Sequence, residues 1–190
     1  MDHTAHYLSP LGGITLGSDG TALVGLWFAP QGRGAYHDGQ KYFADVLDPV
    51  HEERPDLPVF EEARRWLDEY FSGRRPQFTP PLALRGSDFR RRVWQRLLEI
   101  PYGQTVTYGQ LARSLGCRSA QAVGGAVGHN PISLIVPCHR VVGTDGGLTG
   151  YAGGIDRKAC LLQLEGAYPL LVESPDCKNE EHVKDEDTGY

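Results

Sequence analysis

Short apolar runs separated by glycine and aspartate occupy the first part of the chain. Residues 6–28 read "HYLSPLGGITLGSDGTALVGLWF", and "GG" and "SDG" interrupt the apolar stretches. Such interruptions are typical of strands that are joined by tight turns. Residues 30–40 are rich in glycine and polar side chains, which predicts a loop. The pattern therefore predicts a small β-sheet near the N-terminus.

The hydrophobic spacing then becomes helical. The segment "VFEEARRWLDEYFSG" predicts a helix that ends at Gly73. Its apolar positions at helical spacing are Phe60, Ala63, Leu67, Tyr70 and Phe71. Residues 74–86, "RRPQFTPPLALRG", contain three prolines and predict an extended linker. A domain boundary is expected in this linker.

Three further helices are predicted after the linker. "SDFRRRVWQRLLEI" has a Ser/Asp start and a polar face that holds most of its arginines. Its apolar face is formed by Phe89, Val93, Trp94, Leu97 and Leu98. In "TVTYGQLARSLG", Thr107 and Gln110 form a capping box and Gly116 ends the helix, while Ser119 caps the next one. Two short helices joined by a tight turn are a helix-turn-helix pattern.

The second of these short helices has an unusual composition. "AQAVGGAVG" contains three glycines and no charge, and each interior glycine costs roughly 1 kcal/mol relative to alanine. Tight packing against another helix explains such glycines, and so does a smooth surface that enters a groove of DNA. The sequence leaves both explanations open.

The remaining elements complete an α+β fold. "ISLIV" predicts a buried strand, and "DRKACLLQLEG" predicts a helix capped by Asp156. We expect a small N-terminal α/β domain with a short β-sheet and its linker (1–84) and a mainly helical C-terminal domain with a helix-turn-helix (85–167). The polar, acidic residues 168–190 are expected to form a disordered tail.

Charge is distributed unevenly along the chain, although the formal net charge is only −5. Residues 1–84 carry 7 Lys+Arg and 12 Asp+Glu, residues 85–166 carry 10 and 5, and residues 167–190 carry 2 and 7. A basic segment between acidic flanks is suited to a polyanion. A solvated arginine-rich helix gives the same count of charges. Charge alone therefore does not show whether this segment binds a polyanion.

The N-terminus and the cysteines bear on the compartment. "MDHTAHYLSPLGG" lacks the basic and apolar regions of a signal peptide, and no apolar run approaches the length of a membrane span. We therefore expect a cytoplasmic protein with no membrane association. The four cysteines, Cys117, Cys138, Cys160 and Cys177, show no C-x-x-C spacing. We expect reduced thiols and no metal site.

Cys138 is the candidate nucleophile. It follows Pro137 at the end of a predicted core segment and precedes a glycine-rich loop, a place where catalytic side chains are often found. A thiol reacts as the thiolate and needs a base. His139 is adjacent, but neighbours on an extended chain point to opposite sides, so contact requires a sharp turn or a bridging water. A lone Cys-His pair is more often a buried thiol beside an exposed histidine than a catalytic pair, so Cys138 and His139 alone do not establish catalysis.

The surrounding motifs are more specific. "IVPCHRVVG" is followed by "LTGYAGG" and "LLQLEG" and preceded by "VTYGQLA" and "AVGGAVGHNPIS". Together they resemble the O6-alkylguanine-DNA alkyltransferase family over about residues 85–167, and residues 1–84 resemble its N-terminal domain loosely. The resemblance implies a DNA repair enzyme that flips out O6-alkylguanine and transfers the alkyl group irreversibly to its own cysteine in a single turnover.

The resemblance also implies the roles of the catalytic residues. Cys138 would be the alkyl acceptor, which His139 activates through a water while Glu165 orients and charges the histidine. Asn130 would hold the turn beside the site, and Tyr108 would donate to guanine.

Further residues would bind the base. The carbonyl groups of Cys138 and Val141 would accept from the exocyclic amine of guanine, and the N–H of Ala152 would reach the alkylated oxygen. Tyr151 would form a wall of the base pocket, and Gly153 with Gly154 would let the backbone approach the flat base. Arg140 would have a structural or phosphate-binding role.

The expected partner is double-stranded DNA containing O6-alkylguanine, bound through the minor groove by a monomer without a cofactor. The DNA-binding residues implied by the resemblance are Gln121, Arg118, Ala122, Gly124, Gly125 and Ala126. The family usually has an arginine where Gln121 stands, and it fills the gap left by the flipped base. Either Gln121 or Arg118 is expected to replace it.

Three other functions could use parts of this sequence. A non-catalytic damage sensor of the same family would have another residue at Cys138. A helix-turn-helix regulator would need polar side chains on its recognition helix, and "AQAVGGAVG" has almost none. A thiol hydrolase would turn over repeatedly.

Overall fold

A four-stranded sheet forms the N-terminal part of the molecule. The computed structural model describes residues 1–29 and 46–168, so the predicted loop at 30–40 and the tail beyond residue 168 lie outside the described residues. The strands are β1 (Asp2–Ser9), β2 (Gly12–Ser18), β3 (Leu23–Phe28) and β4 (His51–Glu53). Their order is β3-β2-β1-β4, with β4 parallel to β1 and the other pairs antiparallel. The predicted N-terminal sheet is confirmed.

Helix α1 (Pro58–Phe71) contacts β1 and β2 of this sheet. Proline at its first position costs no hydrogen bond, because the first N–H groups of a helix have no partner within it. The helix stops at Ser72, and Gly73 has a φ of 79°, as predicted. Its buried face consists of Val59, Phe60, Ala63, Trp66, Leu67 and Tyr70.

The linker at 74–86 pairs with the edge of the sheet. Leu23 N–H donates to the Pro81 carbonyl at 2.8 Å, and Ala83 N–H donates to the Leu23 carbonyl at 2.8 Å. Arg85 forms an ion pair with the buried carboxylate of Asp2, in which Nη2 and Oδ1 lie 2.8 Å apart. The segment between the two halves of the chain is therefore attached to the sheet rather than free.

The second half is mainly helical. It contains α2 (Asp88–Leu98), α3 (Tyr108–Ser114), α4 (Ala120–Gly128) and α5 (Ile155–Leu164). Two short strands, β5 (Val106–Thr107) and β6 (Val141–Val142), pair in parallel and were not predicted. Among the described residues, no helix is long and apolar enough to cross a bilayer.

Most of the predicted helix ends are confirmed. Thr107 and Gln110 form the capping box of α3, and the Ser119 hydroxyl accepts from Ala122 N–H at the start of α4. Gly116 has a φ of 64° just after α3. Asp156 was predicted to cap α5, which is wrong. The cap is Gly154, with a φ of 96°, a conformation that favours glycine over aspartate.

Two predictions about apolar residues are also wrong. Leu98 is 40% exposed rather than buried. The segment 132–136 is buried but does not form a strand: it meets the N-terminal sheet in one bridge, between Leu26 and Ile132, and then turns. Leu134 has a φ of 68° in this turn. Apolar composition correctly predicted the burial of the segment, but it could not distinguish a strand from a buried turn.

A shared hydrophobic core connects the two halves. With its sheet in the first half and most of its helices in the second, the molecule has the predicted α+β fold. Buried residues of β1–β3 and α1 pack in the same cluster as those of α2, α4 and α5. Trp94 on α2 donates from Nε1 to the Ala126 carbonyl on α4 at 2.8 Å, which fixes the orientation of α4. The segment from Asn130 to Val142 runs through this core.

Candidate active site

Cys138 begins a short 3₁₀ turn, Cys138–Arg140, directly after Pro137. The cysteine is only 5% exposed, and His139 is completely buried. The 3₁₀ turn provides the sharp change of direction that contact between adjacent side chains requires. His139 is therefore not the exposed neighbour of a buried thiol.

The Asn130 side chain holds the thiol and the turn that precedes it. Its Nδ2 group lies 3.1 Å from Cys138 Sγ and donates to the Val136 carbonyl at 2.8 Å. Its Oδ1 accepts from Ile132 N–H at 3.1 Å. Both ends of the amide are thus used, which agrees with the expected role of this residue beside the site.

Glu165 accepts a hydrogen bond from His139. Nε2 of the imidazole lies 2.7 Å from Glu165 Oε1, so Nε2 is the protonated nitrogen when the ring is neutral. His139 Nδ1 is buried and has no hydrogen-bond partner among the described residues. Burial lowers the pKa of His139, although the hydrogen bond and charge of Glu165 oppose this shift. The ring is a neutral imidazole with a free acceptor.

Five donors from the described residues surround the Glu165 carboxylate. Besides His139, Arg140 contributes Nε at 2.8 Å and Nη2 at 3.0 Å, Tyr70 contributes its hydroxyl at 2.7 Å and Gly103 its N–H at 3.1 Å. Burial alone would raise the pKa of Glu165, but the donors from His139 and Arg140 outweigh it and lower the pKa to about 2. Glu165 is therefore a fixed negative charge and does not take up the histidine's proton at neutral pH.

Arg140 has a structural position. Besides its hydrogen bonds to Glu165, the guanidinium donates from Nη1 to the Ile100 carbonyl at 2.6 Å. Its Cζ atom lies over the Tyr102 ring, 5.7 Å from the ring centre. The guanidinium is almost completely buried, which leaves it unable to reach a DNA phosphate. Of the two predicted roles, the structural one agrees with this position.

Lys158 was not predicted and is completely buried. Its Nζ donates to the Val141 carbonyl at 2.6 Å and to the Thr149 carbonyl at 2.8 Å, which connects the two ends of the loop after the cysteine. Burial lowers the pKa of Lys158 to about 8, against the opposing effect of Cys138. A lysine on the apolar side of a helix such as "RKACLLQL" is the sequence signal that could have revealed it.

The thiol itself is not ionised by its surroundings. Burial raises the pKa of Cys138, and the Asn130 hydrogen bond and the Lys158 charge offset this only in part. A base must therefore remove the thiol proton before the sulfur can react. The free Nδ1 atom of His139 is a base of suitable chemistry in the same buried region.

A cavity of about 490 Å³ lies between α4 and the loop after the cysteine. Predicted base-binding and DNA-binding residues meet in its wall. Those lining it are Tyr108, Ala120, Gln121, Gly124, Gly128, Thr149, Gly150, Tyr151 and Ala152. Tyr151 also contacts His139 edge-on at 6.4 Å between ring centres, so the cavity is adjacent to the buried pair of His139 and Glu165.

Several groups expected to bind the base have partners in the protein. The Tyr108 hydroxyl donates to the Thr149 carbonyl at 3.2 Å and to the Gly150 carbonyl at 3.3 Å. The Val141 carbonyl already accepts from Lys158, which leaves one lone pair for a base. Gly153 is explained by packing, since an added Cβ would lie 2.6 Å from the Tyr151 ring and 3.3 Å from Phe28.

The exposed face of α4 is smooth. Gln121, Ala122 and Gly125 are exposed, and an added Cβ at Gly125 would meet nothing within 4 Å. Helix packing therefore does not explain Gly125. Ala126 was predicted to face DNA but is 3% exposed, because it lies one position further around the helix and packs into the core. Arg118 is exposed in a different groove, on the far side of Ala120.

The cysteines differ in state. Cys117 and Cys138 are free, as predicted. Cys160 is disulfide-bonded, so the prediction of reduced thiols is wrong for this residue. Cys177 lies outside the described residues.

Comparison with known proteins assigns the chain to a family. Residues 88–167 match the family model "6-O-methylguanine DNA methyltransferase, DNA binding domain", and residues 3–84 match "6-O-methylguanine DNA methyltransferase, ribonuclease-like domain". The two models together cover most of the chain. This chain belongs to the O6-methylguanine-DNA methyltransferase family.

Relatives of the family are similar over nearly their whole length. The methylated-DNA–protein-cysteine methyltransferase of Mycobacterium tuberculosis is 45% identical over 166 residues, which are 87% of this chain and 93% of the relative. A crystal structure of the M. tuberculosis O6-methylguanine methyltransferase superimposes with a TM-score of 0.72 at 41% identity, covering 90% of this chain and 96% of that one. A structure of the M. tuberculosis protein in complex with DNA has a TM-score of 0.69 at 42% identity, covering 87% and 93%.

Proposed function

We propose that this chain flips O6-alkylguanine out of duplex DNA and transfers the alkyl group irreversibly to Cys138, once per protein molecule. Membership of the family already makes the chain a methylated-DNA–protein-cysteine methyltransferase that acts in DNA repair. Base flipping, the single turnover and the residues involved are the proposal.

The arrangement of His139 is the observation that best supports this reaction. A neutral imidazole donates to a fixed carboxylate from Nε2 and presents a buried, unbonded Nδ1 in the turn that contains the cysteine. The same turn places Cys138 Sγ against the Asn130 amide, a donor that stabilises a developing thiolate. A base, a nucleophile and a donor to the thiolate are the groups that sulfur alkylation requires.

Alkyl transfer moves one proton and breaks one bond for each bond that it forms. The thiol proton passes through a water to His139 Nδ1, and the sulfur attacks the alkyl carbon. The new carbon–sulfur bond forms while the carbon–O6 bond breaks, and its electron pair leaves with guanine. Tyr108 gives a proton to the departing base, after exchanging its present bonds to Thr149 and Gly150. The proton held by His139 then returns through water to the Tyr108 phenolate, so that no net charge is left in the site. The product is a thioether, a poor leaving group, so the cysteine is not regenerated.

The DNA-binding part of the proposal rests on α3, α4 and the cavity. We take these helices as a helix-turn-helix whose second helix enters the minor groove, about 6 Å wide, with its glycine face. The target nucleotide would turn into the cavity that Tyr108, Tyr151 and Ala152 line. A structure of the similar M. tuberculosis protein contains DNA, which supports DNA as the partner.

Gln121 is assigned the task of filling the gap left by the flipped base. It is exposed and lines the same cavity as Tyr108 and Tyr151, whereas Arg118 faces a different groove. The Gln121 amide has donors and an acceptor that can pair with the orphaned base. The absence of charge makes these hydrogen bonds weaker than those of arginine.

Transfer is tested by incubating the full chain with an excess of duplex DNA that contains O6-methylguanine. Mass spectrometry of peptides should show at most one methyl group per chain, on the peptide with Cys138. Cys138→Ser should show none, and Cys117→Ser, the matched change at the other free thiol of the described residues, should behave like the wild type. Several methyl groups released per protein molecule would indicate a hydrolase, and binding of the lesion without any transfer would indicate a damage sensor.

Groove choice is tested with Gly125→Arg, since a bulky side chain on the smooth face should prevent close approach to the minor groove. Affinity for unmodified duplex should fall despite the added positive charge. Ser114→Arg, which adds the same charge at an exposed position on α3, should not reduce it. Tighter binding by Gly125→Arg would contradict the minor-groove assignment.

Gln121 is tested with Gln121→Ala on two substrates. The duplex reaction should slow by about tenfold or less, because a neutral hydrogen bond contributes roughly 0.5–1.5 kcal/mol. Reaction with a free alkylated guanine base needs no flipping and should barely change. If Arg118→Ala abolishes the duplex reaction while Gln121→Ala leaves it unchanged, the task belongs to Arg118.

A further inference from the structure

The phenol of Tyr70 belongs to the N-terminal half of the chain but reaches the catalytic carboxylate. Tyr70 lies near the end of α1, 95 positions before Glu165, and is completely buried. Its hydroxyl donates to Glu165 Oε1 at 2.7 Å and lies 3.4 Å from His139 Nε2. The sequence predicted Tyr70 only as an apolar position of the helix.

Aromatic neighbours fix the Tyr70 ring. It stacks on Trp66 with ring centres 5.1 Å apart and an angle of 9° between the planes. Tyr102 and Phe71 meet it edge-on at 6.0 and 5.4 Å, and the imidazole of His139 meets it at 6.4 Å. A ring held on several sides presents its hydroxyl in one position.

Glu165 Oε1 is shared among three donors. His139 Nε2 and the Tyr70 hydroxyl both lie at 2.7 Å and Arg140 Nη2 at 3.0 Å. The phenol therefore competes with the imidazole for the same lone pairs. Burial, followed by the charge of Glu165, raises the pKa of Tyr70 well above its usual value, so the hydroxyl keeps its proton and remains a donor.

We propose that Tyr70 is a positioning residue for alkyl transfer, whose hydroxyl holds Glu165 Oε1 in place and limits how strongly that oxygen attracts the proton of His139. The N-terminal half thereby becomes part of the active site. The inference rests on the proposed role of Cys138 as the alkyl acceptor. It adds a residue that acts through Glu165 and His139 and does not touch the substrate.

The charges around His139 determine the expected effect. Glu165, at the end of α5, raises the pKa of the imidazole, whereas burial, Arg140 and Lys158 lower it. The neutral groups that face the ring are Tyr70 from α1 and Tyr151 from the loop, and Cys138 is its chain neighbour. Without the phenol, Glu165 would share its charge with fewer donors and hold the imidazolium more tightly. The pKa of His139 should then rise.

The test compares Tyr70→Phe with Tyr7→Phe in the full chain. Tyr70→Phe keeps the stacked ring and removes only the hydroxyl, and Oε1 retains two donors. Tyr7→Phe is the matched control, since its hydroxyl also donates to a carboxylate, that of Asp68 at 2.7 Å, but on the exposed surface. The rate of Cys138 alkylation by a free O6-alkylguanine base is measured against pH, and His139 is titrated by NMR.

For Tyr70→Phe, the acidic limb of the rate profile and the His139 titration should both move to higher pH, by about one pH unit, because one hydrogen bond is worth roughly a tenfold factor. Transfer on that limb should slow by about three- to tenfold and approach the wild-type rate at higher pH. Tyr7→Phe should match the wild type in both measurements.

Two results would overturn the proposal. One is a His139 titration in Tyr70→Phe that coincides with the wild type. The other is a rate that falls by the same factor at every pH together with a lower unfolding midpoint, which would mean that the phenol only stabilises the core. A wild-type chain that does not alkylate Cys138 would instead refute the proposed function, and the NMR titration would still decide the effect of Tyr70.

Discussion

Replacing Glu165 by glutamine should destabilise the fold as well as slow the reaction. The substitution keeps the size of the side chain but removes the negative charge that faces Arg140. That guanidinium is 10% exposed and the carboxylate 0%, so water cannot replace the lost partner. Removing one partner of a buried pair costs about 3–5 kcal/mol, a large part of the roughly 5–15 kcal/mol that stabilises a typical domain.

The pKa of Glu165 gives an independent estimate of the same quantity. Its folded value of about 2 lies below the ordinary 4.5, and this difference corresponds to about 3 kcal/mol. Because the folded pKa is depressed, this contribution is present above about pH 4.5 and is lost as the pH falls toward 2. The wild type should lose stability in that window, and Glu165→Gln should lose less of it.

Thermal and urea unfolding measure this effect. The midpoint of Glu165→Gln should fall by about 6–20 °C, since 1 kcal/mol corresponds to about 2–4 °C for a chain of this size. The control is Glu99→Gln, which breaks the exposed pair with Arg96 and should cost less than about 1 kcal/mol. In the double variant Arg140→Met/Glu165→Gln no unpaired guanidinium remains, and part of the loss should be recovered.

The reasoning would be refuted if Glu165→Gln and Glu99→Gln lowered the free energy of unfolding equally. It would also be refuted if the double variant were less stable than Glu165→Gln, because removal of the unpaired charge would then have brought no gain. Either result would mean that the Arg140 guanidinium finds water or another acceptor when the carboxylate is absent.

Three further changes follow from the contacts of the site. Burial depresses the folded pKa of Lys158 to about 8, so the free energy of unfolding of the wild type should rise by up to about 3 kcal/mol between about pH 8 and 10. Lys158→Met should abolish this rise, which urea unfolding at several pH values measures. Asn130→Ala should slow Cys138 methylation at least tenfold, as measured by single-turnover kinetics, and should lower the free energy of unfolding by about 1–3 kcal/mol. An unchanged rate would exclude a role of the amide in the reaction. Arg157→Leu removes the donors to the Leu11, Ala29 and Gly153 carbonyls and should speed proteolysis between the two halves, whereas a wild-type cleavage pattern would show that this link is dispensable.

Local interactions are what the sequence alone determined well. The capping box of Thr107 and Gln110, the Ser119 cap and the end of α1 near Gly73 were predicted correctly. Each depends on residues within a few positions of one another, so the sequence contains all of the partners. The motifs around Cys138 likewise indicated the family before the fold was known, because their residues follow one another in the chain.

Longer-range packing decided where the sequence predictions failed. Ala126 and Gly125 are neighbours on one helix, yet Ala126 faces the core, where its carbonyl accepts from Trp94, and Gly125 does not. Residues 132–136 have the composition of a buried strand. They form a turn because the N-terminal sheet offers them a single bridge, at Leu26.

At the candidate site too, some contacts of Glu165 could not be predicted from the sequence. The family resemblance implied His139 as its partner, 26 positions away, but it did not imply Tyr70 or Gly103. A tyrosine on an amphipathic helix looks like any other core residue until a carboxylate from the far end of the chain meets its hydroxyl. Spacing along the chain cannot predict such contacts, because they form only when distant elements pack together and buried polar groups must find partners.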